Sequence, residues 1–155
     1  MSIGFNQTLG ETIMPKKVLC AVDGSKASAD AADCAVDLAK STGAKLTFLN
    51  INVVPARSRR TYFWDAELLS ASDAQSHKAL NAAGKIAKAA KFDGFDCVVA
   101  TGNNVADAIV SYADRNKSDH IVLGTATTNE LARIFVGSVA MAVVSHAHCP
   151  VTVVK

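Results

Sequence analysis

The 155-residue chain has almost no excess of charge of either sign. Sixteen Lys and Arg stand against fourteen Asp and Glu, a formal net charge of +2. So small a balance supplies no electrostatic footprint for nucleic acid or an anionic membrane surface, and neither is expected as a partner. Long hydrophobic runs are missing too. The longest have five to six residues, far short of the ~20 that a bilayer span needs. The opening MSIGFNQTLGETIMPKK has neither a basic n-region nor an apolar h-region. No secretory signal is therefore expected, and the cytoplasm is the expected location. Cysteine pairs are absent as well: Cys20, Cys34, Cys97 and Cys149 are widely spaced, with no CxxC. They are expected as reduced, buried thiols and not as a disulfide framework. The common nucleotide and hydrolase motifs do not occur. No GxxxxGKS or GxxxxGKT excludes a P-loop, no GxGxxG follows the first strand, and no GxSxG elbow presents a serine nucleophile.

What is present is a chain that is 50% apolar and 19% charged, enough to bury a core in one domain. Residues 1–15 are polar and aperiodic and read as an N-terminal extension, with the domain running over 16–155. From Lys16 onward, short apolar runs alternate with longer amphipathic stretches. Val18 to Val22 is a continuous apolar run stopped by Asp23-Gly24, the pattern of a strand buried on both faces. Ser25 to about Ser41 is an Ala-rich helix with Ala31, Cys34, Ala35, Leu38 and Ala39 on one stripe, Ser25 as its N-cap and Gly43 as its stop. Leu46 to Val54 reads as a second strand ended by Pro55, and Asp65 to about Ala90 as a long helix containing Gly84. A third strand (Asp96–Ala100), a helix (Val105–Arg115), a fourth strand (His120–Leu123 closed by Gly124), a short helix (Ser138–Ser145) and a last strand (Val151–Val154) follow.

Strands separated by helices of this length imply a parallel sheet with right-handed crossovers, a three-layer doubly wound α/β domain. Ligands of such sheets sit beyond the carboxyl ends of the strands, where the strand order reverses. The segments to search are Asp23–Lys26, Ile51–Tyr62 and Gly124–Gly137. Gly137-Ser138 opens the last helix, and a glycine there lets a phosphate approach the free N–H groups of the helix start. An isolated Gly-Ser is also an ordinary N-cap, and from the residues alone both readings stand. Arg57, Arg59 and Arg60 lie among Tyr62, Phe63 and Trp64. They read either as a lid whose guanidinium groups reach phosphates or as a solvated loop.

Four pieces in order carry a resemblance: Val18-Leu19-Cys20-Ala21-Val22-Asp23-Gly24-Ser25, Val122-Leu123-Gly124, Gly137-Ser138-Val139, and His148-Cys149-Pro150-Val151-Thr152-Val153-Val154. Together they resemble the universal stress protein family over about Lys16 to Lys155. The resemblance implies a five-stranded parallel sheet of order 3-2-1-4-5 in a cytosolic, stress-associated signalling module. It implies a homodimer paired through the C-terminal strand, with an adenine nucleotide, ATP in one subset, as ligand and Mg2+ only alongside it. Carried over by position, Asp23 would sit by adenine and ribose, Ile51 would line the adenine pocket, and Gly124, Gly137, Ser138 and Val139 would form the phosphate and ribose cradle. The ATP-binding members share Gly-x-x-Gly-x9-Gly-Ser/Thr, in which Thr127 here replaces the second glycine, while Ala140 stands where a phosphate-binding hydroxyl is frequent. A Cβ at a left-handed position costs roughly 1–2 kcal/mol. A lost hydrogen bond to a charged group costs roughly 1.5–3 kcal/mol. The sum, about 2.5–5 kcal/mol, moves a micromolar site towards millimolar, unless Thr125, Thr128 or the arginines compensate. The alternative is a dimeric stress protein that binds no nucleotide and acts through protein partners.

Catalysis has little support. His77, His120, His146 and His148 fall within a helix or at strand starts, which lie opposite the ligand rim, and Asp23 is the rim carboxylate singled out. At most, slow ATP hydrolysis by water and a metal is expected. His146-x-His148-Cys149 has a metal-like look but no further ligand at fixed spacing, so a turn before the last strand is the expected reading. A response-regulator receiver would need an acidic pair where Val22-Asp23 stands.

Overall fold

The computed structural model describes residues 14–54, 66–125 and 136–155. The chain runs β1 (Lys17–Ala21), α1 (Lys26–Thr42), β2 (Lys45–Val53), α2 (Ala66–Ala89), β3 (Phe95–Gly102), α3 (Val105–Asn116), β4 (His120–Gly124), α4 (Ser138–His146) and β5 (Val151–Val154). The strands form one parallel sheet of order β3-β2-β1-β4-β5. That is the doubly wound α/β fold expected from the alternation, with each element boundary within about two residues of its expected place.

Two cores flank the sheet, as strand alternation requires. Val18, Cys20, Phe48 and Val122 turn to the α1/α2 side. Leu19, Leu49, Ile121 and Leu123 turn to the α3/α4 side. β1 and β4 are buried because both faces are covered by helices, the reason their sequences are unbroken apolar runs. α1 begins where expected: the Ser25 side chain accepts from the Ser28 N–H at 3.2 Å, and Gly43 ends the helix at φ 71°. Its buried stripe is Ser28, Ala31, Ala32, Ala35, Val36 and Ala39. Cys34 and Leu38 pack only at the margin, a rotation of the stripe towards the sheet relative to the expected one. Small residues let α1 lie close to the strands.

The thiols need a correction. All four are free, but only Cys20 is buried; Cys34 and Cys149 are half-buried and Cys97 is exposed. β3 is an edge strand, so Cys97 has a neighbouring strand on one side only. Its thiol lies 3.9 Å from the Leu80 carbonyl. Partial burial, then the Asp96 carboxylate, push that thiol up against the opposing Lys88.

Candidate functional site at the β1/β4 switch

The first helix pair leaves the sheet on one face and the second pair on the other, so β1 and β4 part at their carboxyl ends. A cleft of about 290 Å³ opens there. It is near the lower end of small-ligand pockets, ~300 Å³. Its walls come from four places: the β1–α1 turn, the end of β2, the end of β4 and the first turn of α4.

The β1–α1 turn supplies Asp23. Gly24 takes φ +84°, which folds the chain back so that the Ser25 N–H donates to Asp23 Oδ1 at 2.9 Å. Burial alone would raise the Asp23 carboxyl. The hydroxyl and N–H of Ser25, with the Ser28 hydroxyl, outweigh it and hold the group below the usual carboxylate value. Asp23 is thus a fixed anion at the cleft wall, suited to accept hydrogen bonds from hydroxyl or amino groups.

Another wall is the start of α4. Gly137 is its N-cap and makes no side-chain cap hydrogen bond. Of the Gly137-Ser138 pair, the glycine takes the cap position and Ser138 is the first helical residue. Its backbone N–H and those of Val139 and Ala140 belong to the first turn, whose donors have no partner within the helix. They sit at the positive end of the helix dipole and on the cleft wall. Ala140 is 2% exposed, belongs to the core on the α3/α4 side and carries no hydroxyl. Val139 is 37% exposed.

Apolar side chains fill the floor: Leu49 and Ile51 from β2, Leu123 from β4, and Val105 and Ile109 from α3. The set therefore has an apolar slot, a carboxylate and a row of N–H donors. That fits a flat heterocycle, a ribose and an anion in turn, the parts of a nucleotide.

Asp23, Ile51, Gly124, Gly137, Ser138 and Val139 all line this one cleft. Thr127, Thr128, Arg57, Arg59, Arg60, Tyr62, Phe63 and Trp64 lie outside the described residues. Gly124 has a role the sequence did not suggest. A Cβ on it would come within 2.3 Å of the Ala27 carbonyl oxygen, so glycine there lets α1 pack on β4. Asn50, Ser28, Val105 and Ile109 also line the cleft and were not singled out from sequence. The available signal was Asn50, an amide next to the buried Phe48 and Leu49, since a buried amide requires a partner.

Among the described residues no histidine lines the cleft. His120, at the start of β4, shares a 2.8 Å hydrogen bond with Thr152 Oγ1. His146 Nδ1 lies 2.8 Å from the Ala142 carbonyl, and His148 Nε2 lies 3.8 Å from Asp114. Among the described residues no three metal-ligating side chains stand together.

Fold and site define a doubly wound α/β domain with a cleft at its switch point. Comparison with known proteins narrows the class. Residues 14–155 match the model of the Universal stress protein family, and the chain belongs to that family. A putative universal stress protein of Staphylococcus haemolyticus is 34% identical over 141 residues, 90% of this chain and 84% of the relative. Among solved structures, a universal stress protein in complex with cAMP superposes with a TM-score of 0.72 at 26% identity, covering 92% of this chain and 98% of that one. UspA from Lactobacillus plantarum does so with a TM-score of 0.72 at 28% identity, over 90% and 97% of the two chains.

Proposed function

We propose that this protein is a cytoplasmic, homodimeric signalling module that binds an adenine nucleotide at the β1/β4 cleft, favouring monophosphates over ATP. The observation that carries this is that Asp23 and the uncapped α4 start border one cleft. A ribose suits the carboxylate, and a single phosphate suits the helix N–H groups. The cAMP complex of a related structure adds support. Ala140 carries no hydroxyl that could bind further phosphates, so the β- and γ-phosphates gain least. Magnesium accompanies only a nucleotide that brings those phosphates.

The dimer is proposed through β5. This strand is a half-exposed edge of Val151, Thr152, Val153 and Val154, and Met141 and Val144 of the adjoining α4 are about half exposed. An apolar edge left open invites unspecific pairing, and a second copy closes it.

Calorimetry with AMP, cAMP, ADP and ATP tests the ligand. Binding is expected in the high-micromolar to millimolar range, with AMP or cAMP at least as tight as ATP, and lost in Gly137→Val. Nanomolar ATP affinity, or no heat with any adenine nucleotide, refutes it; the latter leaves a family member acting through protein partners.

A further inference from the structure

The last rung between β1 and β2 is the Val22 N–H donating to the Leu49 carbonyl at 2.9 Å. In a regular parallel ladder the carbonyl of that same residue would next receive the N–H of Ile51. The Val22 carbonyl instead takes a side chain: Asn50 Nδ2 donates to it at 2.8 Å, in a buried setting. Because the Leu49 carbonyl faces β1, the period of two turns the N–H and C=O of Ile51 to that same side. β1 has ended there, its last paired residue being Ala21 opposite Leu49, and Ile51 borders the cleft. Asn50 shares the parity of Phe48, so its side chain leaves the sheet on the α1/α2 face, at the border of the cleft.

We propose that Asn50 is a positioning residue which, by holding the Val22 carbonyl, keeps the backbone edge of Ile51 open to the base of the bound nucleotide. This rests on the nucleotide function proposed above. A backbone N–H beside a C=O matches adenine, which offers a ring-nitrogen acceptor beside an amino donor. Hypoxanthine presents the reverse, an N–H donor beside a carbonyl acceptor, and leaves both backbone groups opposed. The residue that keeps this edge in place therefore governs base choice through the backbone it holds. Val22 leads directly into Asp23, so the same hydrogen bond sets the start of the β1–α1 turn.

The test measures affinity for AMP and IMP in the full chain by calorimetry. A hydrogen-bonding site discriminates such a pair by about tenfold or more, and that ratio is expected in the wild type. Asn50→Asp keeps the shape but replaces the donor by an anion facing a carbonyl. Both it and Asn50→Leu should weaken AMP and bring the AMP-to-IMP ratio to within a few-fold of one. Asn50→His, whose Nδ1 lies the same number of bonds from Cα as Asn Nδ2, should restore part of the ratio. Leu80→Ala, a core substitution remote from the base edge, should lower stability and leave the ratio alone. An unchanged ratio in the Asp and Leu variants overturns the proposal while the nucleotide function stands, as does a His variant no better than Leu. A wild type that binds neither nucleotide removes the nucleotide function and this proposal with it. Should the Leu variant fail to fold, the Asp and His variants decide.

Discussion

Gly124→Ala is the most informative single change for separating packing from ligand binding. One methyl is added at the end of β4. Its Cβ would stand 2.3 Å from the Ala27 carbonyl oxygen, 2.5 Å from the Ala27 carbonyl carbon and 3.0 Å from the Ala27 Cβ. Non-bonded heavy atoms need roughly 3.5 Å, so the first turn of α1 must retreat from β4 by about 1 Å. The obstacle is backbone, which cannot be relieved by a rotamer change. Overpacking of this kind costs roughly 1–3 kcal/mol, equivalent to a Tm loss of about 2–12 °C for a domain of this size. The displaced turn carries Ser25 and Ser28, which fix Asp23, so nucleotide affinity should fall together with stability. Urea unfolding and thermal melts of the ligand-free protein are the assay. A glycine needed only so that a ligand can approach would leave ligand-free stability untouched. A change within about 0.5 kcal/mol, the usual range for a neutral surface substitution, would refute the packing role.

Gly84→Ala should act in the opposite direction. The added Cβ meets the Phe95 ring at 3.5 Å, an ordinary contact, so the helix gains about 1 kcal/mol in propensity and Tm rises by about 2–4 °C in a thermal melt. Asp23 has a lowered folded-state carboxyl, so its contribution to stability is present above the unfolded carboxylate range and is lost as pH falls through the folded value. Asp23→Asn should therefore be less stable than wild type near neutral pH, with the gap closing in strongly acid buffer. A gap that widens on acidification contradicts the assignment. For the proposed dimer, light scattering should find twice the chain mass at micromolar concentration. Val153→Lys, which sets a charge on the β5 edge, should shift it towards monomer.

The parts legible in sequence share a physical cause. Val18 to Val22 announced a strand because burial on two faces leaves no polar positions, and Ser25 and Gly43 marked α1 because capping chemistry is local. The order β3-β2-β1-β4-β5 was not available from periodicity, which cannot tell which strands are neighbours; it came with the family resemblance. Asp23, Ile51 and the Gly137 segment were found because the switch-point rule points to strand ends. Val105 and Ile109 escaped because their only mark is apolarity, shared with every core position. Cys97 was misplaced for a related reason: β3 carries Cys97, Val98 and Val99 in one run, but its place at the sheet edge leaves Val99 39% exposed. The cap position of α4 falls on Gly137 and not on Ser138, and glycine has no side chain to satisfy the helix start. That difference has a functional consequence. A serine at the cap would have consumed one of the first-turn N–H groups, whereas glycine leaves them to whatever anion the cleft receives. The same economy appears at Asn50, where a side chain takes over the Val22 carbonyl at the edge of the cleft. At both walls the local rule for finishing an element is broken in the direction that leaves backbone groups for a ligand, which is where departures from local consistency are expected to carry function.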